Sequence, residues 1–455
     1  MIEGFEGAIG LRSRRVWVHD HDGRAHFVDG VVWVRGERIV GVEEGDGDGR
    51  GLVEDLGELC LLPGLVDTHV HINEPGRTEW EGFTTATKAA ALGGITTVVD
   101  MPLNCIPVTT TAEALAIKLA AARPLLYVDA GFWGGVVPGN ANELGPLAMA
   151  GMLGAKAFTC HSGIDDFPAS DRDTLRAAMG ELAKAGVPLL VHAELESPVP
   201  DDVRAPTDYA RFLASRPRAW EDDAIAMVIE LVRETGCGAH IVHLSSASAL
   251  GMLAAARAEG LPITAETCPH YLCLVAEDVP DGDTAFKCCP PIREASNREA
   301  LWQGLLDGHI DAVVSDHSPC TPHLKLPEQG DFMDAWGGIA SLQLGLRTMW
   351  WEAQQRGVPL EQLVDWMTAR TAAVAGLGRK GRIAVGHDAD LVAFDPDVVD
   401  VVDPTQLAHR HKVTPYAGRE ARGRVVHTWL RGTAVVRDGA LQGEPRGQAL
   451  LGRNE

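Results

Sequence analysis

Two histidines separated by one residue end an apolar segment and suggest a metal site. His69 and His71 lie in Asp67-Thr68-His69-Val70-His71, which follows the apolar run Leu61-Leu62-Pro63-Gly64-Leu65-Val66. In an extended strand alternate side chains point to the same face, so both imidazoles are expected on one side. Neutral imidazole is a common ligand of divalent metals. The pair alone is weak support, because two histidines on a solvated strand face fit the sequence equally well.

Short β-branched segments that end near a polar residue recur along the chain. After the strand that carries His69 and His71 they occupy residues 93–100, 125–129, 154–158, 187–192, 239–243, 263–267 and 310–317. The segments between them are rich in Ala, Leu, Glu and Arg and predict amphipathic helices, for example over residues 111–122, 171–185, 222–235, 247–259 and 297–306. Eight strands alternating with helices predict an α/β protein with a (β/α)8 TIM barrel.

The catalytic residues of such a barrel gather at the carboxyl ends of its strands. Six side chains able to bind metal are expected there: His69, His71, Lys156, His192, His243 and Asp316. A lysine within an apolar strand must be neutralised, paired or chemically modified, because burying its charge is costly. Taken singly, His192 and His243 also fit hydrogen-bonded core residues, and Asp316 fits a helix cap. Their common position at strand ends favours a metal site.

These residues resemble the cyclic amidohydrolase branch of the amidohydrolase superfamily, which includes dihydroorotases, hydantoinases and allantoinases. Residues 63–71 match the first metal motif of that family, and Lys156 stands where the branch has a lysine carbamylated by carbon dioxide. The resemblance covers almost the entire chain. It implies two divalent ions, with zinc expected and cobalt, manganese, iron or nickel as alternatives. The implied ligands are His69, His71, Lys156 as N6-carboxylysine, His192, His243 and Asp316.

Longer stretches resemble the allantoinases within this branch, namely residues 71–83, 101–104, 162–168 and 335–343. The resemblance implies hydrolysis of the cyclic amide bond of allantoin to give allantoate, in purine catabolism. Asn73 stands where dihydroorotases have an arginine that holds a carboxylate, which favours a neutral substrate. His161 stands where hydantoinases have a tyrosine that stabilises the oxyanion, so His161 and Ser162 are alternatives for that role. Hydantoinase, dihydropyrimidinase or dihydroorotase activity is the alternative function, and a non-catalytic scaffold is the remotest.

The ligand set leads to a hypothesis for the reaction. A carbamate on Lys156 offers two oxygens that can bridge two ions, and such a pair lowers the pKa of bound water from about 15.7 towards 7. The bridging hydroxide is expected to attack the ring carbonyl, with Asp316 as general base and then general acid towards the departing nitrogen. Candidate substrate contacts are Asn73, Asn104, His161, Ser162, Pro291, Ile292, Gly337 and Gly338. The glycines and prolines among them also fit simple turn geometry.

The length and the chain ends predict a second domain. The chain has 455 residues, whereas one barrel takes about 250. Alternating polar and apolar residues near both ends predict one small β-sandwich, with residues 1–62 and 378–455 as its two parts and residues 63–377 as the hydrolase barrel.

Charge and hydropathy restrict the partners. A formal charge of −23 is unfavourable for binding nucleic acid or an anionic membrane. No stretch reaches 18 apolar residues, and the start lacks a basic segment followed by an apolar core, which predicts a cytoplasmic protein. The family resemblance adds the expectation of a small-molecule substrate and a homotetramer.

Overall fold

The computed structural model describes residues 7–19, 23–47 and 51–452, which form strands and helices joined by loops. The strands are β1 (Ile9–His19), β2 (Ala25–Arg35), β3 (Arg38–Glu44), β4 (Leu52–Asp55), β5 (Cys60–Pro63), β6 (Leu65–Val70), β7 (Ile95–Asp100), β8 (Asp129–Phe132), β9 (Gly134–Gly135), β10 (Ala155–Phe158), β11 (Leu189–His192), β12 (Ala239–Ile241), β13 (Ile263–Thr267), β14 (Ala312–Val313), β15 (Leu391–Val401), β16 (Glu420–Leu430), β17 (Thr433–Arg437) and β18 (Ala440–Leu441). The α-helices are α1 (Phe83–Leu92), α2 (Ala112–Ala122), α3 (Ala141–Met149), α4 (Arg172–Ala185), α5 (Tyr209–Ser215), α6 (Arg218–Thr235), α7 (Leu250–Ala258), α8 (Pro269–Cys273), α9 (Ala295–Leu306), α10 (Gly345–Gln355), α11 (Leu360–Trp366) and α12 (Ala369–Val374). Short 3-10 helices cover Ala247–Ala249, Ala276–Asp278, Thr284–Phe286, Pro322–Lys325 and Pro404–Gln406.

Strands from both ends of the chain share one sheet. Its order is β18-β17-β16-β15-β5-β1-β2-β3, with β4 beside β1. The two ends meet where β15 runs antiparallel to β5, with Leu391 opposite Pro63 and Phe394 opposite Cys60. Leu61, Leu391 and Trp429 pack in a buried cluster on this sheet. Apolar residues from both chain ends are therefore buried in one cluster.

The middle of the chain forms two parallel sheets, in the orders β6-β7-β8 and β9-β10-β11-β12-β13-β14. Helices follow most of these strands, and the prediction of an α/β protein is confirmed. An isolated parallel bridge between Val70 and His317 connects the end of β6 to the segment that follows β14. The carboxyl ends of the first and last strands of this region therefore lie side by side.

The third strand lies later than predicted. Residues 125–129 were expected to form it, but β8 begins at Asp129. Residues before β8 pair with the C-terminal tail instead, since the Gly447 amide donates to the Leu126 carbonyl at 2.8 Å. The Leu450 amide likewise donates to the Ala130 carbonyl at 2.8 Å. This contact joins residues more than 300 positions apart, which a local sequence pattern does not reveal.

Helix α4 shows which residues determine the ends and the buried face of a predicted helix. Asp171 caps its start, accepting a hydrogen bond from the Thr174 amide at 2.8 Å. Gly186 ends it in the left-handed conformation, with φ of 71°. The side chains at i, i+3, i+4 and i+7 that face the core are Leu175, Ala178, Met179 and Leu182.

Within the described residues, no helix combines the length and the apolar character that crossing a membrane requires. The start of the chain, on which the expectation about a leader segment depends, falls in residues 1–6, outside the described residues.

Candidate metal centre

The ends of the parallel strands bring the six predicted ligand residues together. His69 lies on β6, Lys156 on β10 and His192 at the end of β11. Asp316 Oδ1 is 3.2 Å from His69 Nε2 and 3.5 Å from His71 Nε2.

His243 completes the group from the other side. Its ring centroid is 5.3 Å from that of His69 and 4.5 Å from that of His192. All six residues are buried. Ligand atoms of His69, His243 and Asp316 lie within 4.8 Å of one another, close enough to hold one metal ion.

Unusual backbone angles accompany these side chains. His243 and Asp316 have φ of 39° and 43°, and the candidate substrate residues Asn73 and Asn104 have φ of 66° and 68°. Such left-handed angles are uncommon outside glycine and are found preferentially at functional sites. The chain at the strand ends is therefore held in conformations that direct these side chains inward.

Several nitrogens of the site have no hydrogen-bond partner among the described residues, although they are buried. They are His69 Nε2, His71 Nδ1, Lys156 Nζ and His243 Nδ1. The 3.2 Å approach of His69 Nε2 to Asp316 does not have hydrogen-bond geometry. Buried polar atoms are nearly always paired, and leaving one unpaired costs about 1–3 kcal/mol. Imidazole, amine and carboxylate groups with free lone pairs fit a site for divalent cations.

Burial sets the protonation of these groups. Desolvation lowers the pKa of Lys156 to about 8. Desolvation also lowers the pKa of His71, His192 and His243. Neutral imidazoles are the form that binds metal. A lysine with this pKa has a sizeable neutral fraction near pH 8, and the neutral amine is the form that can react with carbon dioxide.

Two buried glutamates that the sequence did not predict contact the candidate ligand histidines. Glu266 Oε1 is 2.5 Å from His69 Nδ1, and Glu194 Oε2 is 2.7 Å from His192 Nε2. A usable signal for Glu266 was present, because it is the one charged residue in the strand Ile263–Thr267. A charge on such a buried strand requires a partner.

A cavity of about 400 Å³ opens above the six residues. Its walls include His71, Lys156, His192, His243 and Asp316. Among the candidate substrate contacts, those that line it are Asn104, His161, Ser162, Gly337 and Gly338. Asn104 Oδ1 is buried without a partner among the described residues, and it is therefore free to accept a hydrogen bond from a bound molecule.

The other three candidates lie beside the cavity and hold neighbouring loops. The Asn73 side-chain amide donates to the Pro319 carbonyl at 3.2 Å. The Pro291 carbonyl accepts a hydrogen bond from Ser245 at 2.6 Å, and the Ile292 carbonyl accepts one from Tyr209 at 2.9 Å.

Neither candidate for the role of the hydantoinase tyrosine is held towards the cavity. The Ser162 hydroxyl donates to carbonyls of its own loop, at 2.6 Å to that of Phe167. The His161 side chain is 62% exposed, and its Nδ1 accepts a hydrogen bond from the Gly163 amide at 3.1 Å. The choice between them stays open.

Comparison with known proteins places this geometry in context. Residues 60–435 match the profile of the amidohydrolase family. The chain is 53% identical over 401 residues to the allantoinase of Streptomyces avermitilis, covering 88% of this chain and 89% of that protein. It is 46% identical to the allantoinase of Arabidopsis thaliana (93% and 88% covered) and 47% identical to that of Saccharomyces cerevisiae (88% of both).

Solved structures agree over nearly the full length. The L-hydantoinase (dihydropyrimidinase) from Arthrobacter aurescens has a TM-score of 0.89 at 30% identity, covering 97% of this chain and 99% of that one. The dihydropyrimidinase from Brevibacillus agri has a TM-score of 0.86 at 28% identity, covering 97% and 98%.

Proposed function

Because the chain belongs to the amidohydrolase family, we propose that it hydrolyses the cyclic amide bond of allantoin to give allantoate. The observation that carries the proposal is the convergence of six metal-capable side chains, four of which have unpaired buried nitrogens and five of which line one cavity. The relatives named allantoinase, at 40–53% identity over most of the chain, favour allantoin over other cyclic amides.

The fold proposal is that the two parallel sheets are arcs of one (β/α)8 barrel beside a β-sandwich. The bridge between Val70 and His317 supports closure on one side. On the other side, the Gly134 amide between β8 and β10 donates to the Gly154 carbonyl at 2.8 Å. The proposed limits are residues 63–377 for the barrel and residues 1–62 with 378–455 for the sandwich. Similarity to the hydantoinase from Arthrobacter aurescens over 97% of the chain supports this division.

The proposed metal ligands are His69, His71, Lys156 as N6-carboxylysine, His192, His243 and Asp316. Two divalent ions, zinc first, would supply an activated water near neutral pH and polarise the ring carbonyl. Carboxylation turns the buried Lys156 amine into an anion, which removes the cost of an unpaired amine in this position. Neutral imidazoles and carboxylate oxygens are suitable ligands for zinc.

Asp316 is the proposed proton carrier. Although burial raises its pKa, the neighbouring His69 and His71 outweigh that effect and hold the pKa well below its usual range. The carboxylate is therefore ionised near neutral pH, which is the form that a proton acceptor for the attacking water must have. It then passes this proton to the departing ring nitrogen.

Substrate binding is proposed for the cavity walls. Asn104 Oδ1 would accept a hydrogen bond from a ring N–H, and backbone groups of Gly337 and Gly338 would pair with the amide edges. Gly338 has φ of 144°, and a Cβ there would meet the Ser318 carbonyl at 2.3 Å, so the loop requires glycine. His161 and Ser162 border the same space, while Asn73, Pro291 and Ile292 hold the loops around it.

The test is ring opening by the purified protein supplied with zinc and bicarbonate, on allantoin, hydantoin and dihydroorotate in parallel. Turnover of allantoin that is abolished by a chelator supports the proposal. Preference for hydantoin or dihydroorotate would retain the reaction class and reject the substrate. Absence of turnover on all three rings would favour a non-catalytic scaffold.

A homotetramer is proposed from the resemblance to the cyclic amidohydrolases. Analytical ultracentrifugation of the purified chain measures the mass directly, against 48.6 kDa for one copy. A monomer at micromolar concentration would contradict the proposal.

A further inference from the structure

We propose that Glu194 and Glu266 are positioning residues, which hold His192 and His69 in the orientation and the tautomer that a divalent ion needs. The inference rests on the metal centre proposed above. It concerns residues that lie behind the ligands and do not border the cavity. It also assigns different consequences to the two glutamates.

Glu266 lies in a linear series of close polar contacts that runs from His69 through Glu266 and His240 to Thr264. Its two oxygens are 2.5 Å from His69 Nδ1 and 2.9 Å from His240 Nε2. His240 Nδ1 is in turn 2.7 Å from Thr264 Oγ1. The side chains of His69, Glu266 and His240 are at most 1% exposed. None of these residues lines the cavity, and His69 reaches the candidate metal centre through its Nε2, which is 3.2 Å from Asp316.

The chemistry of a carboxylate fixes the proton on His69. An ionised carboxylate only accepts hydrogen bonds, so His69 Nδ1 must carry the proton that bonds to Glu266. The lone pair is then on Nε2, the atom that lies beside Asp316 without a hydrogen bond. Such a pairing fixes the tautomer and the ring plane of a metal ligand.

Glu194 does the same for His192 with the opposite ring nitrogen. His192 Nε2 donates to Glu194, which leaves the lone pair on Nδ1. The other partner of Glu194 is Arg216, whose Nε is 3.0 Å from Oε1 and whose second nitrogen contacts Oε2. Arg216 lines the cavity, whereas Glu194 is fully buried.

The two glutamates therefore differ in what lies behind them. Behind Glu266 lie His240 and Thr264, neither of which lines the cavity. Behind Glu194 lies the guanidinium of Arg216, which lines the cavity and can contact a bound substrate. A change at Glu266 should weaken metal binding alone, whereas a change at Glu194 should weaken metal binding and also disturb Arg216 at the substrate.

The experiment compares E194Q and E266Q with the wild type by zinc content after dialysis against increasing chelator. Removing an outer partner of this kind lowers metal affinity by about 10–100-fold. Both variants should therefore lose zinc at chelator concentrations at least about tenfold lower than the wild type requires. D129N is the matched control, because Asp129 is a fully buried carboxylate paired with Lys380 and Arg431. D129N should lower the melting temperature and retain zinc as the wild type does. Wild-type zinc retention in folded E194Q and E266Q would overturn the proposal.

Kinetics at saturating zinc test the difference between the two glutamates. E266Q should regain the wild-type KM, while E194Q should keep a KM raised about fivefold or more. Equal KM values would reject the link through Arg216. If E266Q does not fold, H240N removes the outer partner of Glu266, and unchanged zinc retention in that variant would equally overturn the proposal.

Zinc retention separates this inference from the substrate assignment. A wild type that retains zinc but does not open allantoin refutes the substrate and leaves the positioning test valid. A wild type that retains no zinc refutes both.

Discussion

Two buried clusters of charged side chains in this protein contrast sharply. In the first, Lys380 Nζ lies 2.7 Å from Asp129, 2.9 Å from Asp388 and 2.7 Å from Asp390, and Arg431 also binds Asp129. In the second, at the strand ends, Lys156 Nζ is equally buried and has no hydrogen-bond partner among the described residues. Both lysines are buried: Lys156 is 0% exposed and Lys380 is 2% exposed.

The difference separates structure from function. The Lys380 cluster joins β8 to the segment that leads into β15, and its charges satisfy one another. The pKa of Lys380 agrees, since the three aspartates outweigh burial and raise it. The Lys156 cluster leaves lone pairs and an amine unsatisfied, a cost that a purely structural site has no reason to bear.

The largest expected effect comes from the second cluster. D316N should lower turnover of allantoin by about 10²–10⁴-fold, because a general acid and base contributes on that scale. Zinc content should stay mostly intact, since five other proposed ligands remain. Steady-state assays with zinc measured on the same sample check both statements. Full activity in D316N would remove Asp316 from the reaction.

The next effect concerns the satisfied cluster. K380M should lower the free energy of unfolding by about 3–5 kcal/mol, because it leaves buried aspartates without their cation. Thermal and urea unfolding measure the loss. R370M, which removes an exposed cation paired with Asp365, is the surface control and should cost about 1 kcal/mol or less. A K380M protein as stable as the wild type would show that the cluster is not needed for the fold.

The corresponding substitution at Lys156 should change the free energy of unfolding in the opposite direction. K156M should raise the stability of the metal-free protein by about 1–3 kcal/mol, because it removes an unpaired buried amine. The same change should abolish the binding of at least one ion, since the proposed carboxylate is lost. Unfolding in the presence of a chelator, with zinc content measured in parallel, checks the two signs. Destabilisation of the metal-free protein would mean that Lys156 has a structural partner.

The contrast also explains what the sequence could predict. The six proposed ligand positions and most parallel strands followed from local signals, because apolar strands with a His, Lys or Asp at or near their end are visible in any short window. Glu194 was missed although it stands only two residues after its partner His192. Glu266 and Arg216 were missed because their partners His69 and Glu194 lie 197 and 22 residues away in the sequence. The early start predicted for the third strand failed for the same reason, since the C-terminal tail pairs with residues 126 and 130.

The smallest expected effect concerns Asn104, whose unpaired side-chain oxygen is proposed to bind the substrate and not the metal. N104G removes the unpartnered Oδ1 at the cavity wall and retains a backbone able to adopt φ of 68°. Loss of one hydrogen bond of about 0.5–1.5 kcal/mol should raise KM for allantoin by about 2–13-fold, with zinc content unchanged. D438G is the matched control, because Asp438 has φ of 49° on an exposed turn between β17 and β18. If N104G left KM at the wild-type value, Asn104 would belong with the loop-holding residues Asn73, Pro291 and Ile292, and recognition of the ring would fall to the backbone of Gly337 and Gly338.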